Sequence, residues 1–342
     1  MKSIIFAIAL FCLLFSGAFA QKHYTTTLRK NNGQEVFSLD SADFISVISE
    51  PDPDSKLFNV REFYKDKTPR LLGKSKNYKE IEYEGLVQTF YPSGKKHELI
   101  TYVDGVKVGD SYEYYPNGKI YAHKKYIADK KDNSEQLLDC RDSTGTVLAA
   151  GGEGKWRTYG SNFSFVLEEG TVKNGLREGE WKGDNGDKAH RVSFTEQYVE
   201  GLLKSGASFY ADDNQTYKYN SRYVDAQFPG GLKALDRYVS DNGKYPPSLR
   251  TNHFAGNVMV EFAVLPDGAI AECKVTASPD VSFSEEAQRL LKASPKWIPA
   301  AAFGRPLKQI NKTPVVFGFS ARNDYYITIG EIDPGTFVYG GF

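Results

Sequence analysis

Cysteine and histidine are scarce in this chain, three and five among 342 residues. Cys12 falls in the leading apolar segment, which leaves Cys140 and Cys273. Two distant cysteines make no disulfide framework, and their spacing does not ask for a bridge between them. His97, His123 and His190 are scattered without the spacing of metal ligands. A charge excess of one sign is also missing. Lys and Arg number 43, Asp and Glu number 43, and the formal net charge is zero. That excludes a strong electrostatic commitment to nucleic acid or to an anionic membrane, so no nucleic-acid partner is expected. After the first twenty residues no apolar run is long enough to span a bilayer, which takes about 20 residues as a helix. A nucleophile elbow, an H-E-x-x-H helix and a phosphate loop are all lacking. Glu285 and Glu286 sit at a helix start, where the macrodipole favours acids without any catalytic role. The reading is therefore of a chain that is not an enzyme and needs no metal and no cofactor. What the sequence has in quantity is aromatic residues, 22 Tyr and 22 Phe. These favour β-structure, where cross-strand aromatic pairs stabilise the sheet.

Residues 1–20 read as a signal peptide. Lys2 supplies the positive start, Ile4 to Phe15 the apolar stretch, and Ala18-Phe19-Ala20 the small-residue cleavage site. The mature chain is expected to begin at Gln21, in an exported protein. An uncleaved anchor is the alternative. Residues 21–56 contain two strand-like runs, His23 to Leu28 and Asp43 to Ile48, and are expected to cap the region that follows, because an open sheet edge invites aggregation.

Residues 57–210 repeat themselves. Phe90-Tyr91-Pro92-Ser93-Gly94-Lys95 returns 24 positions later as Tyr114-Tyr115-Pro116-Asn117-Gly118-Lys119. Pro fixes φ at one corner of each turn and Gly accepts positive φ at the next. Asp104-Gly105 between the copies is a hairpin signal. Fainter copies occur at Glu62-Phe63-Tyr64, at Gly154 to Tyr159, at Gly170 to Trp181 and at Tyr198 to Gly206. Each unit reads as strand, tight turn, strand, tight turn. One such hairpin cannot bury its aromatic face, so neighbours must stack to make a narrow continuous core. Trp156, Trp181 and the tyrosines are read first as that stacking core, and second as an outer face offered to a partner. The phrases resemble MORN repeats in the variant form common in bacterial envelope proteins, which implies a platform or spacer.

Residues 211–227 are polar around Asp212-Asp213-Asn214-Gln215 and read as a linker. The next stretch, 228–319, has the size of one small domain. Gly230-Gly231 opens a helix with Leu232, Leu235, Tyr238 and Val239 on one face, ended by Asn242-Gly243. Asn257 to Leu265 alternates as a half-buried strand, Pro266-Asp267-Gly268 turns, and Ala269 to Ala277 returns. Ser282-Phe283-Ser284-Glu285 reads as a capping box opening a helix that buries Phe283, Ala287, Leu290 and Leu291 and stops at Pro295. Leu307 to Phe319 is a last strand. Pro314 lies within it and cannot donate a ladder hydrogen bond, so this strand is expected at a sheet edge or bulged. In the tail, residues 320–342, Asp324 to Gly330 reads as one more strand, expected to fold back onto that edge and compete for it.

Phe228-Pro229-Gly230-Gly231, Lys244-Tyr245-Pro246, Gly256 to Val260, Asp267-Gly268, Pro295-Lys296-Trp297-Ile298-Pro299 and Pro314-Val315-Val316-Phe317 together closely resemble the C-terminal domain of TonB, the energy-transducing protein of the bacterial envelope. The resemblance covers about Phe228 to Phe319. The expected fold class is thus α+β: a β-hairpin repeat array, then a small TonB-like domain with two helices packed on a three-stranded antiparallel sheet.

The resemblance implies a place in the periplasm, or at an envelope membrane, of a Gram-negative bacterium. It implies a partner, an outer-membrane TonB-dependent receptor whose TonB-box peptide adds as a strand to an exposed sheet edge. The candidate edge is Lys308, Gln309, Ile310, Asn311, Lys312, Thr313, Val315 and Phe317. Core packing is the competing reading for Trp297 and Phe317. For Lys308 and Lys312 it is a charged edge that blocks self-association. The resemblance also implies force from an inner-membrane proton channel. Here, however, the leader reads as cleavable, and the repeat array stands where the family has a long Pro-rich linker. That puts the link to the channel in question. The alternative function is a periplasmic or outer-membrane-associated adaptor that uses both parts for assembly without energy transfer, with another envelope protein or a homodimer as partner.

Overall fold

The computed structural model describes residues 24–128, 133–160, 163–187 and 191–338, so the segment read as a signal peptide lies outside the described residues. The chain divides into two compact units, Met1–Gly151 and Gly152–Phe342.

In the first unit the strands run β1 (Tyr24–Arg29), β2 (Glu35–Val36), β3 (Phe44–Ser49), β4 (Phe58–Tyr64), β5 (Pro69–Ser75), β6 (Gly85–Phe90), β7 (Lys96–Val103), β8 (Val106–Tyr114), β9 (Ile120–Ala128), β10 (Asn133–Arg141) and β11 (Val147–Ala150). From β3 to β11 each strand pairs antiparallel with the next, and β1 pairs with both β2 and β3. The repeat is visible in the turns. Tyr91 N–H donates to Lys95 O and Gly94 N–H to Tyr91 O; Tyr115, Lys119 and Gly118 do the same one repeat later. A third copy, Asp142 to Thr146, has the same two bonds but begins with Asp, which hides it in the sequence. At the degraded upstream turn Lys67 takes φ 71°, the conformation that Gly adopts in the better copies. Successive copies are tied by their tyrosines. The hydroxyls of Tyr64, Tyr91 and Tyr115 donate to the carbonyls of Phe90, Tyr114 and Arg141, at 2.5–2.8 Å. The core is narrow, centred on Val60, Leu71, Val87 and Ile100.

The second unit opens with six more antiparallel strands, β12 (Glu153–Tyr159), β13 (Val166–Lys173), β14 (Leu176–Asp184), β15 (Val192–Val199), β16 (Leu202–Tyr210) and β17 (Gln215–Tyr219). Asn174-Gly175 and Glu200-Gly201 turn with positive φ at both residues, the hairpin geometry whose twist suits the flanking strands. Gly170 stands opposite both Trp156 and Trp181 in register. A Cβ there would lie 2.3 Å from the Trp181 ring, so only glycine lets that indole lie flat on the sheet. Both indoles are fully buried, as a stacking core requires.

The chain continues as β18 (Tyr223–Val224), α1 (Gly231–Asn242), α2 (Pro247–Thr251), β19 (Gly256–Val264), β20 (Ile270–Ala277), α3 (Val281–Lys292), β21 (Ala300–Ala302), β22 (Arg305–Phe319), β23 (Tyr325–Ile329) and β24 (Asp333–Val338). The fold is α+β, a long antiparallel hairpin array followed by a domain with two main helices on a small sheet. At the centre of that sheet β22 pairs with β19, and β19 with β20. Leu235 and Val239 of α1 and Phe283, Ala287, Leu290 and Leu291 of α3 pack on it with Phe262, Trp297, Val315 and Phe317. Leu232 stays half exposed, off the buried face of α1. The cap of α3 lies two residues before the expected one: Asp280 accepts from Ser282 N–H at 2.7 Å.

Two expectations are corrected here. Residues 211–227 do not form a free linker, since β17 pairs with β16 and β18 with β21. The carboxylates that suggest a solvated connector are engaged with Arg305, Asp212 at 2.7 Å and Asp213 at 3.3 Å. Nor is Lys308–Phe317 an open edge, since the tail folds back along it, as expected of the strand-like run Asp324 to Gly330. The side of β22 away from β19 carries β23 opposite Val315–Phe319 and β24 opposite Lys308–Lys312. Pro314 is accommodated without a bulge against β19, where it stands opposite Met259. The gap between β23 and β24 falls opposite Pro314, whose carbonyl accepts from Gly330 N–H at 2.8 Å.

Candidate functional site

Successive residues of a strand face opposite sides, so Leu307, Gln309, Asn311, Thr313, Val315 and Phe317 share one face of β22, and all are buried. The face changes character along its length. Val315 and Phe317 lie in the apolar core, with the Phe317 ring stacked 4.2 Å from Phe283. Neither side chain is offered to a partner. Gln309, Asn311 and Thr313 form a polar stripe, each 1% exposed or less. Buried polar groups must be hydrogen-bonded or they cost free energy. Gln309 is well held: its Oε1 accepts from Ala226 N–H at 2.8 Å and its Nε2 donates to Asp225 Oδ1 at 2.7 Å. Thr313 donates to Gly330 O at 3.1 Å and to Glu331 O at 3.4 Å. Asn311 donates to Gln309 O at 3.2 Å, but its buried Oδ1 has no partner.

On the opposite face Ile310 is half buried. Lys308 and Lys312 reach across the sheet to Glu272 at 2.6 Å and Glu261 at 3.3 Å. The charged-rim reading of these lysines therefore acquires partners that the sequence does not reveal. The sheet's other rim, β20, pairs only with β19 among the described pairings. It has irregular register, with Glu272 at φ 50°, and carries Glu272 and Lys274 exposed, the features that blunt an edge.

A second cluster joins the last array strands to the domain inside the same unit. The tip of the β21–β22 hairpin, Phe303-Gly304, inserts among aromatic rings. Phe303 lies 5.1 Å from Phe194, 5.6 Å from Tyr223 and 5.7 Å from Tyr219. Its carbonyl accepts from Ser208 Oγ at 2.6 Å, its N–H donates to Arg222 O at 2.6 Å, and Tyr210 donates to Ala302 O at 2.7 Å. Beneath the tip Arg222 grips the fully buried Glu196 through Nε and Nη2, at 2.6–3.1 Å, and reaches Glu168 at 2.6 Å. Tyr198 and Tyr219 also donate to Glu196. Burial alone would raise the Glu168 carboxyl, but bonds and charge from Arg177 and Arg222 outweigh it and hold the carboxyl below its ordinary value. No residue of this joint stands out in the sequence; the acids and arginines read as ordinary array surface until the fold brings them together.

Among the described residues no group of His, Cys, Asp and Glu is arranged to hold a metal ion, and no helix is long and apolar enough to cross a membrane.

The family whose model matches is that of the Gram-negative bacterial TonB protein C-terminal region, over residues 241–319. Neither the curated proteins nor the solved structures gave a match. The matched stretch runs from the end of α1 through β22. It leaves out the array, β18, nearly all of α1 and the tail, and keeps the β21–β22 hairpin of the joint. The C-terminal region is thus similar to the TonB C-terminal domain over residues 241–319. The family is non-enzymatic and associated with transport, and it points to envelope transporter proteins as partners in general terms.

Proposed function

We propose that this chain is exported to the Gram-negative envelope and binds an extended segment of an outer-membrane receptor or transporter by adding it as a strand along β22. One observation carries the reading. Within a domain that matches the TonB family, the outer side of the central strand is covered by the chain's own tail, a segment outside the match. A strand that accepts one extended segment in antiparallel register presents the same backbone groups to another. Lys308, Gln309, Ile310, Asn311, Lys312 and Thr313 make up the binding stretch, and Val315 and Phe317, paired on both sides by β19 and β23, lie beyond it. The hairpin array, MORN-like in its turn phrases, holds the domain at a distance from its anchor or presents it.

The test is photo-crosslinking in intact cells from Lys308 and Lys312, whose side chains reach solvent. Recovery of an outer-membrane receptor supports the reading. Recovery of only a second copy of the chain overturns it in favour of assembly.

A second reading, an adaptor without energy transfer, is favoured by the Phe303 joint. A domain bonded to the array by hairpin tip, ion pairs and ring contacts is not hung on an extensible linker. N-terminal sequencing of the protein from cells separates the two. A start at Gln21 favours the adaptor, and retention of residues 1–20 in the inner membrane favours force transfer.

A further inference from the structure

We infer that the two tail strands differ in permanence: β23 is a fixed part of the domain, whereas the segment from Glu331 to Val338 is a displaceable internal ligand covering the polar stripe of β22. This rests on the strand-addition reading and names the part of β22 where exchange takes place.

The fixed half is anchored on every side. Ile327 and Ile329 belong to the apolar core. Thr328 Oγ1 and Ile329 N–H both donate to Asp236 of α1. The Tyr325 ring lies 5.4 Å from Tyr245 and 4.4 Å under Arg250. Its five residues pair with Val315–Phe319 without a break in register.

The other half is held less closely, although Ile332 packs partly on the apolar core. The register of β24 shifts between Gln309 and Asn311. Opposite Asn311 stands Pro334, which has no N–H to give to the ladder; separately, on the buried face, Asn311 Oδ1 has no donor. The tail's bonds to the stripe are long, 3.3 Å from Gln309 Nε2 to Gly335 O and 3.4 Å from Thr313 to Glu331 O. By contrast, the bonds from Gln309 to Asp225 and Ala226 are 2.7 and 2.8 Å and do not involve the tail. A cavity of about 240 Å³ lies where Glu331, Ile332 and Pro334 pass Asp225 and Phe228. Pro314 already interrupts the outer ladder between the two strands, so releasing one does not unzip the other.

An apolar core strand would be the cheaper way to bury that face permanently. A polar stripe under an ill-fitting cover is suited to a face that is exchanged. The occupant it fits is an extended peptide with a backbone N–H where Pro334 stands and a very small residue where Gly335 stands. A Cβ at Gly335 would lie 2.5 Å from Ile310 O.

The experiment uses the full chain and a version ending at Gly330. The probe is a fluorescent synthetic peptide of residues 331–342. Saturable one-to-one binding to the shortened chain, at least about tenfold weaker to the full chain, is expected from competition with the tail in place. A peptide carrying Pro334→Ala should bind more tightly than the natural one. Lys312→Cys with Asp333→Cys, in a Cys273→Ser background, should abolish probe binding to the full chain when oxidised and restore it on reduction.

Hydrogen exchange on the unaltered protein is independent of any variant. The amides of Lys308–Lys312 facing β24 should exchange at least about tenfold faster than those of Val315–Phe319 facing β23. Equal exchange, or unfolding of the domain on truncation at Gly330, overturns the inference. If the probe binds but receptor-derived peptides never compete with it, the displaceable tail stands and the receptor reading fails. If such peptides bind the full chain while exchange at Lys308–Lys312 is unchanged, the receptor reading stands and this inference fails.

Discussion

In the TonB-like domain the aromatic rings converge on one cluster, whereas in the hairpin array they form separate pairs, such as Tyr83 with Tyr102 and Trp181 with Tyr198, and bond to the backbone of the next repeat. Phe283 stacks on Phe317, and Tyr245 touches Phe283, Phe317, Phe319 and Tyr325, so one cluster ties α3 and the loop after α1 to β22 and β23. In the array Trp181 lies on Gly170, and each turn tyrosine spends its hydroxyl on a carbonyl of the following copy. The first arrangement is a shared core, where the loss of one ring is felt by every element. The second is serial, and damage to one repeat is borne mainly by its neighbours.

The sharpest way to break the comparison is Phe283→Ala. Removing a fully buried ring from the shared cluster should cost about 3–5 kcal/mol. Denaturant unfolding followed by hydrogen exchange should show the loss over α1, α3 and β19–β23 together. A loss confined to α3 would mean that the domain is no more cooperative than the array.

Arg222→Ala acts where the two regimes meet and should cost about 3 kcal/mol, because Glu196 then stays buried without its cation and Glu168 keeps only Arg177. Its pH dependence has a definite sign. The Glu168 carboxyl is held below its ordinary 4.5, so its stabilisation is complete above that value and is lost as pH falls through the lower folded value. Without Arg222 the folded value rises. The acid limb of the unfolding profile should therefore move to higher pH in the variant. An unchanged limb would show that Arg177 alone sets the Glu168 charge.

How much of this was legible in the sequence follows from the same contrast. Turns carry their chemistry locally: Pro-Ser-Gly, Pro-Asn-Gly and Asp-Gly marked hairpins because φ at each corner is a property of the residue itself. The helices and the β19–β20 hairpin were legible from apolar period and turn residues for the same reason. The joint at Phe303 was not, because Asp212, Arg222 and Glu196 look like surface charge until strands distant in sequence place them together. The candidate strand β22 was legible as a strand, and so was the return of Asp324–Gly330 along its outer side, but not the second tail strand β24 opposite Lys308–Lys312. The neighbour of that stretch is decided by the tail, and a five-residue alternation does not state its partner. The signal that could have found the stripe was present: Gln309, Asn311 and Thr313 alternate in step with Val315 and Phe317, so they had to share the buried face.

Within the array, Tyr91→Phe tests the serial links at small scale. Burial pushes the Tyr91 phenol up to about 12, so the group stays protonated and donates to Tyr114 O at ordinary pH. Removing the hydroxyl should cost about 1 kcal/mol, with faster exchange confined to β6–β9. Exchange that rises equally along β3–β11 would show that the first unit is cooperative after all.

The smallest effect concerns His123, which stacks on Tyr112 and lies between two acids, Asp110 at 2.8 Å from Nε2 and Asp139 at 3.0 Å from Nδ1. Burial would lower its pKa, but the bonds and charges of Asp110 and Asp139 outweigh that and raise it above 6.5. A raised folded value means that the stabilisation is fully present below pH 6.5 and fades as pH rises through the folded value. Protection of the β8–β9 and β9–β10 amides should therefore be greater at pH 6 than at pH 8.5, once the intrinsic exchange rates are corrected for. In His123→Asn that difference should vanish, because asparagine keeps hydrogen bonds but carries no titrating charge. If the pH difference survives the substitution, the charge on His123 does not hold these strands. The charge linking these strands would then lie with Lys124, which pairs with Glu113 on β8 and Glu135 on β10.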